Sequence, residues 1–213
     1  MPYLPYFYWL VALSYLIASE FSPSPLHGLH KAVPILFLAM AALIVCRGHT
    51  RLWLFLALVA SSYGDMLLAS DLPQGFMYGL GAFALAHLCY CLCFFPWFTW
   101  SKKPVKFVVL LVILLLLVLF KIVPHTENLF IPVLAYMAII SLMAMLALFA
   151  KQASRYLTIG AFSFVLSDSM IAINKFVFSL PYEHLLIMSS YYLAQYCLFI
   201  GCIKQVKPHA NES

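Results

Sequence analysis

The sequence predicts an all-α fold of eight membrane-spanning helices, and three observations predict it. Of the 213 residues, 65% are hydrophobic and only 9% are charged, and a mean hydropathy of +1.00 exceeds what a water-soluble domain of this length sustains. The apolar residues fall in runs of about 20, the length a helix needs to cross the hydrocarbon core. The runs are separated by short breaks that carry most of the Lys and Arg, or Pro and Gly.

Eight runs meet this description, near residues 5–19, 30–46, 51–70, 75–98, 105–123, 129–150, 154–176 and 184–203. Their connections are short and free of low-complexity sequence, so residues 1–213 are expected to form a single transmembrane domain with a short tail from about residue 204. The first run, within MPYLPYFYWLVALSYLIASE, lacks the basic region and small-residue cleavage site of a signal peptide and is expected to be a retained helix. The fourth opens GFMYGLGAFALAHLCY, where Gly75, Gly79, Ala82 and Ala86 make a smooth face suited to close helix packing. The fifth, FVVLLVILLLLVLF, has no polar side chain and is expected to face lipid, with Lys106 and Lys121 reaching outward.

The net charge of +5 does not point to nucleic acid, because the basic residues mark alternate loops. Arg47, Arg51, Lys102, Lys103, Lys106, Lys151, Arg155, Lys204 and Lys207 lie on one side; Lys31, Lys121 and Lys175 lie on the other. Nine against three places both termini in the cytoplasm. The sequon Asn211-Glu212-Ser213 then never meets the glycosylation machinery. Six cysteines sit almost entirely inside apolar runs. In CYCLC, a spacing of two turns successive thiols about 200° apart on a helix, so Cys89, Cys91 and Cys93 do not converge on a metal and read as core residues.

A faint internal repeat runs through the chain. Pro34 resembles Pro132, Asp65 resembles Asp168 and His87 resembles Gln195, at offsets of 98, 103 and 108. Four helices separate each member from its mate, which makes it a candidate 4+4 parallel repeat; short apolar sequences also match by chance.

Chemistry concentrates on a few polar residues inside the runs. A carboxylate at the centre of a membrane helix costs roughly 2.5–3.5 kcal/mol on insertion scales, yet LVASSYGDMLLAS carries Asp65 and AFSFVLSDSMIAINKF carries Asp168. They lie 14 residues after Arg51 and 13 after Arg155, hence each about 20 Å along a helix that leaves the cytoplasm. His87, 12 residues beyond Gly75, and Gln195, 11 beyond His184, are each about 17 Å in from the other side. With no arginine at that depth, the two aspartates are read as catalytic. His87, Gln195, Tyr191, Tyr192 and Asn174 are read as supporting or substrate-binding residues, with ordinary core packing the competing reading for His87 and Gln195. Lys31, at the outer end of the second run, either binds a phosphate or snorkels. Ser167 stands beside Asp168 without a nucleophile motif such as G-x-S-x-G, and is set aside as a nucleophile.

These segments carry a family resemblance. HKAVPILFLAM, SYGDMLL, GLGAFALAHLCY, FVLSDSMIAINKF and YYLAQYCLFIGC resemble, in order and from about residue 31 to 203, the signature segments of the YhhN family of membrane proteins, which includes the lysoplasmalogenases. The resemblance implies an eight-helix membrane hydrolase that cleaves the vinyl ether bond of lysoplasmalogens, releasing a fatty aldehyde and a glycerophosphoethanolamine or glycerophosphocholine. The partners implied are the lysophospholipid substrate, water and membrane lipids. Protonation of the β-carbon of an enol ether leaves an oxocarbenium that water attacks, so the reaction needs one acid and one anion. Two carboxylates in a low-dielectric site supply both, because neighbouring like charges do not both ionise. No cofactor and no metal is expected.

Buried acids also mark ion-coupled transporters, the main rival reading; such a carrier would release its substrate unchanged. A structural membrane protein would leave the acids without a purpose. For the topology, reporters fused to each terminus are expected to read cytoplasmic, and an external signal from the C-terminal fusion would overturn the assignment of sides.

Overall fold

The computed structural model describes residues 3–21, 26–101, 104–151 and 155–206. Lys102, Lys103, Lys207 and the Asn211 sequon, invoked above for topology, lie outside the described residues. Eight helices follow one another: α1 (Leu4–Phe21), α2 (His27–Val45), α3 (Gly48–Leu68), α4 (Gly75–Phe94), α5 (Val105–Ile122), α6 (Phe130–Leu148), α7 (Arg155–Phe176) and α8 (Glu183–Val206). Each begins and ends within a few residues of the expected run. Helices α2 to α8 are long and apolar enough to cross a membrane, and the apolar stretch of α1, Leu4–Ser19, is shorter. The protein is thus an all-α integral membrane protein. The helices group into two compact units, Met1–Cys93 and Phe94–Ser213, with four helices in each.

In the first unit, α1 buries Leu4, Tyr8, Ala12, Tyr15 and Leu16, a single stripe at helical spacing, and packs on α2. Helices α2 and α3 form an antiparallel hairpin across the tight turn at Cys46 and Arg47. Small residues permit the close approach: Ala32, Ala39 and Ala42 of α2 and Ala57 and Ser61 of α3 are all buried. At the far end, a Cβ on Gly28 would stand 3.3 Å from the Ala69 Cβ, so the start of α2 runs directly against the end of α3. Pro34 lies inside α2 and donates no N–H, which removes the helical bond to the His30 carbonyl. The expected smooth face of α4 is used for close packing. A Cβ on Gly79 would fall 2.6 Å from Leu68 Cδ2, and one on Gly64 would fall 2.8 Å from the Phe83 ring.

In the second unit, α5 buries only Leu111, Val118 and Ile122. Val109, Leu110, Val112, Ile113, Leu116, Leu117 and Phe120 remain exposed, as expected of a lipid-facing helix. Val118 and Ile122 pack with Val133 of α6, and Ile173 and Phe176 of α7 close over them. Beyond α6, an isolated antiparallel bridge joins Phe98 to Ala150. There Thr99 N–H donates to the Phe149 carbonyl at 2.9 Å and Lys151 N–H to the Trp97 carbonyl at 2.6 Å.

Helices α7 and α8 meet through a reciprocal arrangement. Leu198 of α8 lies over Gly160 of α7, and Leu157 of α7 lies over Gly201 of α8; a Cβ at Gly160 or Gly201 would come 2.9 or 2.5 Å from the opposing leucine Cδ2. Replacing either glycine by valine should force the pair apart at a cost of about 1–3 kcal/mol, the usual range for overpacking. In detergent, thermal unfolding of Gly160→Val and Gly201→Val is expected to fall by several degrees, whereas Gly81→Ala, where a Cβ meets nothing within 4 Å, should melt like the parent.

Candidate functional site

Among the described residues, the first unit holds one buried carboxylate. Asp65 lies in the last turn of α3 and is 1% exposed. Because α2 and α3 are antiparallel and tightly joined, the first turns of α2 come alongside it. Lys31 Nζ stands 3.4 Å from Asp65 Oδ1, and Lys31 is itself buried. The lysine therefore neither snorkels outward nor stands apart from the acid: it supplies the counter-charge that made no appearance at that depth in the sequence. An unpaired buried charge in apolar surroundings is far more costly than a paired one, so this contact is what makes Asp65 tolerable on a membrane helix.

Further polar groups surround the pair. Tyr15 of α1 is fully buried and lies within electrostatic reach of Asp65. Tyr15 Oη and His27 Nε2 share a hydrogen bond at 2.9 Å, and Ser14 Oγ and His30 Nε2 share one at 3.0 Å. Ser61 and Ser62 are buried one turn before Asp65 on α3, and Ser62 Oγ donates to the Leu58 carbonyl at 2.9 Å. His87 is fully buried on α4 of the same unit.

The second unit holds the other carboxylate. Asp168 is half-buried, about two turns before the end of α7. The Tyr136 hydroxyl, projecting from α6, donates to Asp168 Oδ2. Tyr136 is buried, so one oxygen of Asp168 is fixed by a rigid aromatic donor. Ser167 Oγ donates to the Ile187 carbonyl at 3.1 Å and thereby ties α7 to α8. Tyr191, Tyr192 and Gln195 are buried on α8. The Tyr191 ring packs edge-on to Phe164 with centroids 5.6 Å apart and lies 5.7 Å from the Tyr192 ring. Asn174 holds the turn after α7, its Oδ1 accepting the Leu180 N–H at 2.8 Å.

Sequence reasoning missed Tyr15, His27, His30 and Tyr136. A tyrosine inside an apolar run looks like any core aromatic, and the two histidines lay at the edge of a predicted loop. One signal was available: counted from the turn at Cys46 and Arg47, Lys31 lies 15 residues back and Asp65 lies 18 forward, within about one helical turn of the same level. Two open apolar grooves among the described residues carry neither acid in their lining. One, lined by Ala60, Tyr63, Leu67, Ala82 and Leu85, lies on the side of α3 turned about 200° from Asp65. Another lies between α5 and α6, at Leu116, Phe120 and Leu134.

Comparison with known proteins gives a consistent result. The YhhN family model matches residues 26–202. The chain is 38% identical over 153 residues to a Mycobacterium bovis protein named lysoplasmalogenase; that alignment covers 69% of this chain and 59% of the relative, so the chain spans less than two thirds of that protein. It is 32% identical to Lysoplasmalogenase TMEM86B of Rattus norvegicus, covering 87% of this chain and 76% of the relative. To the human protein of the same name it is 34% identical, covering 86% and 78%. No solved structure matches. With the family model covering every element that carries a polar group described above except α1, the chain belongs to the YhhN family.

Proposed function

We propose that this protein is a lysoplasmalogenase, an integral-membrane enzyme that hydrolyses the vinyl ether bond of lysoplasmalogens. The observation that carries this reading is the buried Lys31–Asp65 pair, in a chain whose relatives bear that name. The pair is costly in an apolar bundle, and the reaction offers a use for it.

The chemistry requires a proton at the β-carbon of the enol ether. The resulting oxocarbenium is stabilised by a nearby anion; water adds to the carbon next to oxygen, and the hemiacetal collapses to aldehyde and glycerophospho-headgroup. The proton donated at the start is regained from the attacking water, so no other reactant is consumed. An ammonium 3.4 Å away suits Asp65 to the anionic role. The Tyr136 hydroxyl orients one oxygen of Asp168, and Asp168 is assigned the proton transfer. Two carboxylates in different roles also serve glycosidases, whose transition state is likewise oxocarbenium-like. His87, Gln195, Tyr191 and Tyr192 are buried and serve as groups that orient water or the ether oxygen, and Asn174 supports them through its turn.

The test is a panel of lyso-lipids with vinyl ether, alkyl ether and acyl linkages presented to the purified protein, with aldehyde release as readout. The vinyl ether should be cleaved and the saturated ether left intact, since only the former protonates to an oxocarbenium. Equal turnover of the acyl lipid would make it an esterase, and transport of lipid into vesicles with no aldehyde would make it a carrier.

For the residues, Asp65→Asn and Asp168→Asn should each lower turnover by at least about 10²-fold, the usual worth of acid-base catalysis. A folded Asn variant with near-normal aldehyde release would rule out that carboxylate.

A further inference from the structure

We propose that His27, His30 and Lys31 form a subsite for the phosphodiester of the lyso-lipid substrate, so that recognition of the headgroup and the chemistry at Asp65 share one lysine; this rests on the functional reading above. The three side chains stand at i, i+3 and i+4 on α2, hence on one face of its first turns. His27 lies within electrostatic reach of both Lys31 and His30. The Tyr15 ring sits against both imidazoles, with centroids 5.1 Å from His27 and 5.4 Å from His30. Hydrogen bonds to Tyr15 and Ser14, at 2.9 and 3.0 Å, fix the ring planes. Both imidazoles are only partly buried, while Lys31 behind them is buried.

An anion suits the electrostatics here. Three nitrogen bases gather at the N-terminal end of a helix, where the backbone dipole is also positive, with Asp65 beside Lys31. A phosphodiester supplies one further negative charge and oxygen acceptors for imidazole and ammonium donors.

Its dimensions fit as well. In a lysoplasmalogen the ether oxygen is five bonds from phosphorus through the glycerol, about 6 Å when extended. Lys31 Nζ is 3.4 Å from Asp65 Oδ1. A phosphate bound on the outer side of the ammonium therefore leaves the ether atoms within reach of the carboxylate on its inner side. The two histidines complete the outer side and would explain why Tyr15, buried beneath them, carries a hydroxyl.

The experiment compares two substrates in one protein: lysoplasmalogen and the phosphate-free 1-alkenylglycerol, both assayed for aldehyde with the full-length chain in maltoside micelles. Wild type should favour the phosphate-bearing lipid in kcat/KM. In His27→Gln/His30→Gln, KM for lysoplasmalogen should rise about tenfold, the worth of one charge-assisted contact, and the ratio between the substrates should fall accordingly. Because the ratio is taken within one preparation, a partly unfolded variant does not mimic the effect. His125→Gln, an exposed histidine after α5, should keep the wild-type ratio. Doping the micelles with phosphatidylglycerol should leave the preference in place, whereas its collapse would assign the cluster to bulk lipid and overturn the proposal. Inorganic phosphate should compete less well than glycerophosphoethanolamine; the reverse order would make this a free-phosphate site and also overturn it. A double variant with the wild-type ratio, or a wild type without preference, refutes the subsite while aldehyde production leaves the functional reading standing. No aldehyde from either substrate sinks both.

Discussion

An ionisable side chain inside an apolar helix bundle must be given a partner, and this constraint organises both units. Asp65 is matched by Lys31 across the α2–α3 hairpin, and Asp168 by the hydroxyl of Tyr136 across α6–α7. In each case the partner comes from a neighbouring helix, so the contact exists only when the helices are packed. For Asp65 the contact depends on the tight, small-residue interface that brings α2 and α3 together, where Gly28 runs against Ala69; for Asp168 it depends on the packing of α6 on α7. An apolar bundle with loose packing would leave these acids stranded, at a cost of several kcal/mol for each uncompensated charge.

The two acids are not treated alike. A full counter-charge and a neutral hydroxyl are different instruments: one compensates a charge, and the other directs a single oxygen. On α2, Lys31 shares its face with the histidines of the first turns and reaches the carboxylate of α3.

Much of this was legible in the sequence, for physical reasons. Helix number and limits follow from the length of apolar runs and the charges that break them, and α5 announced its exposure by having no polar side chain between Lys106 and Lys121. Asp65 and Asp168 stood out because insertion cost makes such residues rare. Their partners did not. Lys31 read as an interfacial lysine because only the depth of both hairpin arms, taken together, brings it beside Asp65. Tyr136 sits in IPVLAYMA, where nothing separates a hydroxyl with a task from a ring that fills space. His27 was hidden because the start of α2 at His27 lies three residues before the expected one, and His30, the first residue of the expected run, then had no preceding turn with which to share a helical face.

The paired glycines of α7 and α8 have a mechanical consequence. Each leucine is seated against the other helix's backbone, so a shift along the axis in either direction drives side chain into main chain. The two helices move as one beam, and Ser167, pinned to the Ile187 carbonyl, adds a third rivet. Asp168, Tyr191 and Gln195 all ride on that beam. Their spacing is thus set when the chain folds. Polar groups oriented in advance need no reorganisation when charge develops beside them.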